Sequence, residues 1–280
     1  MTAMIILLSV FVFGQKGNKA FIETNGIFNI VTIGQIGNSI QAFTSQAGFK
    51  NIITVEQIGK KNYNETLQLG NLNKVEVHQN GEKNYTDIEQ IGNNNLAEIT
   101  QDGKINEATV EQNGMANEAN IEQTGDNNYT DIEQIGNHNL TELIQDGYYN
   151  ETFVIQNGTA NEADIEQIGK YNHADIEQIG DHNLIELIQD GKSNETFVTQ
   201  DGFRNATFIE QIGKNNYTQV MIENGMLNNI DVSQNGKANI SSVYVGFGNN
   251  NSNNIIQDGN YNLSSVAILG NSNVSTIVQQ

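Results

Sequence analysis

Histidines and carboxylates are the side chains that could carry acid–base or metal chemistry in this sequence. The four histidines are His78, His138, His173 and His182, and no pair of them has the close spacing of a metal motif. The carboxylates follow an eleven-residue repeat, so any pair able to act as acid and base occurs many times, whereas an active site interrupts a repeat. We therefore expect no enzyme activity and neither a cofactor nor a bound metal.

The most regular spacing belongs to amides. Glutamine recurs every eleven residues from Gln35 to Gln211, and a glycine follows two residues after each one. Asparagine follows five residues after each of these glutamines, with Ile40 as the exception. A side-chain amide both donates and accepts, so amides stacked on one another form a hydrogen-bonded column. A fixed period this short is the signature of a solenoid.

Three sets of residues make up the predicted site. The glutamines of the stacking ladder are Gln90, Gln101, Gln112, Gln123, Gln134, Gln145, Gln156, Gln167, Gln178, Gln189, Gln200 and Gln211. The asparagines of the ladder are Asn95, Asn106, Asn117, Asn128, Asn139, Asn150, Asn161, Asn172, Asn183, Asn194, Asn205 and Asn216. The turn glycines are Gly92, Gly103, Gly114, Gly125, Gly136, Gly147, Gly158, Gly169, Gly180, Gly191, Gly202 and Gly213.

Alternation within one repeat predicts which side chains are buried. In the copy at residues 128–136, Asn128, Thr130, Ile132 and Gln134 point to one side of a strand, because successive strand residues face opposite sides. Through the regular repeats this set holds no charged residue, and the opposite set holds most of the carboxylates. Because burying an unpaired charge is costly, the charge-free set must be the inside. Each repeat is therefore a short strand that ends in a turn, where glycine tolerates positive φ.

Two repeats form a better unit than one. The outward column five residues before each glutamine alternates at a spacing of 22, as in Tyr85, Glu107 and Tyr129. If consecutive repeats are the two arms of a strand-turn-strand arch, the coils stack in parallel about 4.8 Å apart. An antiparallel meander is the alternative, but it would place glutamine opposite asparagine and give the 22-residue alternation no role. The predicted fold is all-β: an amyloid-like β-solenoid with about 22 residues per coil and two facing parallel sheets.

At this point the repeat resembles a known family. The segment Ile121-Glu-Gln123-Thr-Gly125-Asp-Asn-Asn128-Tyr-Thr130-Asp-Ile132-Glu-Gln134 is similar to the curlin repeat, found in subunits of curli, the extracellular amyloid fibres of bacterial biofilms. The resemblance extends from about Thr24 to Gln279. It implies a secreted subunit that polymerises with copies of itself, with a nucleating subunit and a secretion pore as candidate partners.

Composition agrees with such a chain. Its 280 residues include no proline and no cysteine, so neither a missing ladder donor nor a disulfide is expected. The net charge is −20 with 13 basic residues, which argues against nucleic acid and against anionic membrane surfaces as partners. The apolar run from Met4 to Gly14 is too short to span a bilayer, so membrane insertion is not expected.

The sequence predicts four segments. Residues 1–14 resemble a secretory signal, although an N-terminal strand or cap is the alternative. Residues 15–29 are irregular, residues 30–213 hold the regular repeats, and residues 214–280 hold divergent repeats of the same solenoid. In this last segment Ile222, Val245 and Ile268 replace glutamine, and two turns are one residue longer. The final repeat carries no polar cap, so its edge is expected to offer unpaired backbone groups to another chain.

The outward face leaves two interpretations open. Glu89, Glu111 and Glu133 would fall on three successive coils and could hold a divalent cation loosely, although a solvated face is the preferred interpretation. Outward apolar residues could drive lateral bundling or adhesion, or they could only raise strand propensity. On one face they are Leu96, Leu140, Ile144, Leu184 and Ile188, and on the other Phe153, Ile155 and Phe197.

The predicted function is therefore structural: a secreted subunit of a curli-like fibre, for the biofilm matrix or for adhesion to surfaces. The alternative is a monomeric β-solenoid adhesion module, or a minor subunit that nucleates the fibre. Fibre formation at neutral pH distinguishes these possibilities.

Overall fold

The computed structural model describes residues 7–13 and 17–280, and the chain divides into two compact units, residues 1–138 and 139–280. The prediction that covers residues 1–14 falls largely outside the described residues, of which only Leu7–Phe13 forms a strand there. Each unit is built from strands of nearly constant length joined by short turns. In the first unit the strands are β1 Leu7–Phe13, β2 Lys19–Ile27, β3 Ile30–Asn38, β4 Gln41–Phe49, β5 Ile52–Lys60, β6 Tyr63–Asn71, β7 Lys74–Glu82, β8 Tyr85–Asn93, β9 Leu96–Lys104, β10 Glu107–Met115, β11 Glu118–Asp126 and β12 Tyr129–Asn137.

The second unit repeats the pattern. Its strands are β13 Leu140–Tyr148, β14 Glu151–Thr159, β15 Glu162–Lys170, β16 His173–Asp181, β17 Leu184–Lys192, β18 Glu195–Phe203, β19 Ala206–Lys214, β20 Tyr217–Met226, β21 Asn229–Lys237, β22 Ile240–Gly246, β23 Ser252–Asn260, β24 Leu263–Leu269 and β25 Val274–Gln279. No helix occurs in the described part of either unit.

Within each unit the odd-numbered strands form one parallel sheet and the even-numbered strands form another, here called the odd sheet and the even sheet. Partners in a sheet lie 22 residues apart, as shown by Gln112 opposite Gln134 and Gly114 opposite Gly136. One odd strand and the following even strand therefore make one coil. The predicted β-solenoid with two facing parallel sheets is confirmed, and the antiparallel alternative is excluded.

Burial follows the predicted alternation. In β10, Ala108, Val110 and Gln112 are at most 1% exposed, whereas Glu107 and Glu111 are exposed. The apolar content of each coil is small, usually one Ile, Val or Leu per strand flanked by Ala or Thr and by Gln. A layer this thin gains limited stability from apolar burial alone, so the buried polar groups must be satisfied by hydrogen bonds.

The strands are joined by four-residue arcs, each running from a glycine to the asparagine three residues later. In the arc at residues 103–106, Gly103 has φ of +131° and Ile105 has φ of +57°. The backbone of each arc bonds to its neighbours in the stack: the Ile105 N–H donates to the Glu82 carbonyl, and the Asn127 N–H donates to the Lys104 carbonyl. The arcs therefore continue the backbone ladder around the corner of the coil.

The terminal segments vary this scheme. Residues 15–29 contain β2, which pairs in register with β4 and places Thr24 opposite Gln46. In β20 the extra residue forms a bulge, because the register shifts between Ile222 and Gly225. The bulge keeps Ile222 buried and leaves Glu223 outside the core.

Candidate functional site: the buried amide columns

The glutamines form hydrogen-bonded columns within each unit. In the even sheet of the first unit the Gln90 Nε2 donates to the Gln112 Oε1, and the Gln112 Nε2 donates to the Gln134 Oε1, both at 2.8 Å. In the odd sheet of the second unit the Gln167 Nε2 donates to the Gln189 Oε1 at 2.8 Å. All twelve glutamines of the predicted ladder are fully buried. Every donor points toward the coil that follows.

Each glutamine also joins the two sheets. The Gln112 Nε2 donates its second hydrogen to the backbone carbonyl of Leu96, 16 residues earlier and in the opposite sheet, at 2.8 Å. The same bond joins Gln134 to Glu118 and Gln167 to Glu151. Both amide hydrogens of Gln112 are therefore used, one along the stack and one across it. The sequence predicted the first bond but not the second.

The asparagines bond mainly to backbone, which differs from the predicted amide-to-amide column. The Asn106 Nδ2 donates to the Gly125 carbonyl at 2.9 Å, and its Oδ1 accepts the Asn128 N–H at 3.0 Å. The physical reason is position: the side chain is short and sits at the corner of the coil, where arc carbonyls and N–H groups need partners. Amide-to-amide bonds are added in the second unit, where the Asn205 Nδ2 donates to the Asn183 Oδ1 at 3.1 Å. All twelve asparagines of the predicted ladder are buried.

Inward threonines complete the polar core, and sequence reasoning missed this role. The Gln189 Nε2 donates to the Thr196 Oγ1 at 3.1 Å, and the Thr196 hydroxyl donates to the Gln211 Oε1 at 2.9 Å. Thr196 lies in the even sheet and both glutamines lie in the odd sheet. The signal in the sequence was the recurrence of Thr in the charge-free set.

The turn glycines occupy positions that no other residue fits. Their φ values lie between +102° and +139°, which L-residues rarely adopt. Space is the second constraint: a Cβ on Gly103 would lie 1.9 Å from the carbonyl oxygen of Gly125 in the next coil. The glycine column therefore sets how closely the arcs stack.

The Gln column of the even sheet ends inside the second unit. The Gln200 Oε1 accepts from Gln178 at 3.3 Å, but its Nε2 donates to the Thr207 hydroxyl at 2.7 Å. The next inward residue in the column is Ile222, followed by Val245. The column of the odd sheet continues, and the Gln211 Nε2 donates to the Gln234 Oε1 at 3.0 Å.

A comparison with protein families follows from this repeat. The family described as curlin associated repeat matches seven overlapping segments, and together they cover slightly more than half of the chain: 70–103, 92–125, 106–136, 125–158, 136–169, 158–191 and 191–220. This chain belongs to the curlin repeat family. No curated protein matches the chain. The curlin repeats outside residues 70–220 are assigned from register and burial.

The outer face of the curlin repeats is charged and locally coupled. Glu111 lies between Glu89 and Glu133 in the even sheet. Burial, and then repulsion from Glu111, raises the pKa of Asp131. Burial, and then repulsion from Glu65, raises the pKa of Asp87.

The histidines bind carboxylates rather than one another. The His78 ring nitrogens lie 3.3 Å from a Glu56 oxygen and 3.0 Å from a Glu76 oxygen, and the His173 Nδ1 lies 3.2 Å from a Glu151 oxygen. In residues 17–280 no group of histidine and carboxylate side chains could hold a metal ion. Nor does any helix in the described chain reach the length and apolarity needed to cross a membrane.

Proposed function

We propose that this curlin-repeat chain is a structural subunit of an extracellular curli-like amyloid fibre, for biofilm matrix or surface adhesion. Copies join end to end by continuing the backbone and amide columns of one copy into the next. In this proposal residues 1–14 direct secretion, and a nucleating subunit and a secretion pore act as partners. The role is structural and involves no catalysis.

One observation carries the proposal: each coil presents the same set of groups to the coil after it. Coil by coil, the glutamine offers an Nε2 donor forward and an Oε1 acceptor backward, and the backbone does the same. Because the set repeats by translation, a coil of a second copy satisfies it as well as the next coil of the same copy. Parallel strands with open edges and stacked Gln and Asn are the arrangement found in cross-β fibres.

Fibre formation is the direct test. Freshly purified protein at neutral pH should pass from soluble to thioflavin-positive fibres with a meridional reflection at about 4.7–4.8 Å. A folded monomer whose state does not change with concentration would overturn the proposal and favour a monomeric adhesion module.

Matched variants test the role of the amides. Gln134→Ala removes the acceptor for the Gln112 Nε2 and the donor to the Glu118 carbonyl, whereas Glu133→Ala changes its outward neighbour. The first variant should lengthen the lag of fibre formation more than the second. The reverse order would show that the buried amides do not control assembly.

Charge gives an independent test. The chain carries a net charge of −20 and has a pI near 4.3, so repulsion between copies opposes joining at neutral pH. Added salt, or a pH lowered toward the pI, should therefore speed end-to-end assembly. Unchanged kinetics would show that the outward carboxylates do not limit the rate.

A further inference from the structure

The arcs that follow the odd strands of the second unit carry a column of lysines. Lys170, Lys192, Lys214 and Lys237 occupy the second arc position on four successive coils, and each is the register partner of the next. All four side chains are exposed. Stacked coils place them about 4.8 Å apart, well inside the Debye length of about 8 Å at physiological salt. This set is called the lysine stripe.

The fold does not require a column of like charge at this position. In the first unit the same arc position reads Lys60, Glu82, Lys104 and Asp126, so the sign alternates from coil to coil. The Lys60 Nζ lies 3.4 Å from a Glu82 oxygen, and this contact lowers the pKa of Glu82. The alternating column neutralises itself, whereas the lysine stripe does not.

The lysine stripe lacks carboxylate partners within its own copy. Among the described residues no carboxylate oxygen lies within 4.0 Å of these amines, and Asp190 is the nearest acidic neighbour in sequence. The Lys170 Nζ lies 4.8 Å above the Tyr148 ring, and the Lys192 Nζ lies 5.8 Å from the Tyr171 ring centroid. The stripe therefore keeps its positive charge directed to solvent beside exposed aromatic rings.

The odd sheet of the same unit carries a complementary column. Glu142, Asp164 and Glu186 occupy the third strand position on three successive coils and are register partners. Their side chains are exposed, and within the described chain none of them forms an ion pair or a hydrogen bond. This set is called the carboxylate stripe. Asp164 shares β15 with Lys170, and Glu186 shares β17 with Lys192.

We propose that the lysine stripe of one copy docks on the carboxylate stripe of a second copy. Both stripes have the strand spacing as their period, so successive lysines meet successive carboxylates without a mismatch that grows along the contact. No other partner would share this spacing by construction. The pairing holds neighbouring copies side by side through charge complementarity.

The contact is heterologous, because the two stripes are different surfaces. Each copy offers its lysine stripe to one neighbour and its carboxylate stripe to another, and such a contact does not close on itself unless the rotation permits. In a fibre this pairing sets how filaments bundle, and to that extent it rests on the proposed function. Pairing of dissolved copies requires no fibre.

The experiment is a charge swap read by sedimentation velocity in about 0.05 M salt, where the Debye length exceeds the stripe spacing. The lysine variant is Lys192→Glu with Lys214→Glu, and the carboxylate variant is Asp164→Lys with Glu186→Lys. The control is Lys61→Glu with Lys83→Glu, which reverses two exposed arc lysines outside the stripe. Far-UV circular dichroism of each variant verifies that it remains folded.

Each swapped variant alone should associate about tenfold more weakly than the parent chain, because two of the pairs across the contact become repulsive. The control should associate like the parent. An equimolar mixture of the two swapped variants should recover association, because the lysine variant and the carboxylate variant are again complementary where they meet. Recovery cannot result from misfolding, since each partner is the same variant that fails alone.

Three outcomes would overturn the inference: lysine-variant association equal to the control, a mixture no stronger than its components, or association that increases with salt. Binding of poly-L-glutamate to the parent without recovery in the mixture would identify the lysine stripe as a polyanion site instead. Because end-to-end assembly should be sped by salt and lateral pairing weakened by it, failure of one proposal is distinguishable from failure of the other.

Discussion

Replacing Gly103 by alanine is the most informative single perturbation of the stack. An alanine Cβ at this position would lie 1.9 Å from the Gly125 carbonyl oxygen, 2.8 Å from its carbon and 3.2 Å from its Cα. These atoms are backbone of the next coil and cannot rotate away. The arcs at Gly103 and Gly125 must therefore separate.

The cost follows from two contributions. A φ of +131° is strained for alanine, and such strain costs about 1–3 kcal/mol. Separating the arcs breaks the bond from the Asn127 N–H to the Lys104 carbonyl and the bond from the Asn106 Nδ2 to the Gly125 carbonyl, both at 2.9 Å. Losing the two bonds costs about 1–3 kcal/mol in total. The variant should therefore lose about 2–6 kcal/mol of unfolding free energy.

Urea unfolding of freshly purified, dilute protein, followed by far-UV circular dichroism, measures this loss. Gly34→Ala is the matched control, because Gly34 lies outward in β3, lacks a positive φ, and has open space where its Cβ would be. The control should change stability by less than about 1 kcal/mol. Equal urea midpoints for the two variants would refute the argument that backbone contact makes the turn glycines necessary.

Three further predictions concern the arcs, the outer carboxylates and the asparagine column. Ile105→Asn should raise the unfolding free energy by about 1 kcal/mol, because Ile105 is exposed at φ of +57° and asparagine tolerates that region better; an equal or lower urea midpoint would contradict this. The pKa of Asp131 is raised in the folded state by burial and by Glu111, so its contribution to stability falls as pH rises through the raised value. Asp131→Asn should therefore raise the melting temperature more at pH 7 than at pH 3, and an equal gain at both would count against the stated cause. Asn106→Asp keeps the acceptor for the Asn128 N–H but buries a charge beside the Gly125 carbonyl, so it should destabilise strongly at pH 7 and less at pH 4; pH-independent destabilisation would show that the charge is not buried.

Much of the fold could be predicted from the sequence because two patterns have the same phase. Gln112 follows Val110 and Ala108 at intervals of two, and no charged residue shares that phase in the regular repeats. Desolvation of charge then leaves one choice for the inner face. The 22-residue alternation of Tyr85 and Glu107 chose parallel coils over a meander, and the observed register agrees.

The details that escaped prediction depend on the offset between the two sheets and on backbone geometry. Whether the Gln112 Nε2 reaches the Leu96 carbonyl depends on how the sheets are displaced, and no periodicity encodes that displacement. The third arc position adopts positive φ whether it holds Ile105, Asn127 or Tyr149, so residue type gave no consistent signal. Asn106 has the phase of a ladder residue, but its short side chain reaches arc backbone before another amide.

Spin-label pairs test the central claim, that one coil is 22 residues and that identical side chains stack on neighbouring coils. The chain has no cysteine, so Glu111→Cys with Glu133→Cys places two nitroxides on adjacent coils of one sheet. Glu111→Cys with Glu122→Cys places them on opposite sheets. The account predicts strong spin–spin broadening for the first pair, because the labelled strands are about 4.8 Å apart, and a narrow spectrum for the second. Broadening of the second pair with a narrow spectrum for the first would contradict it.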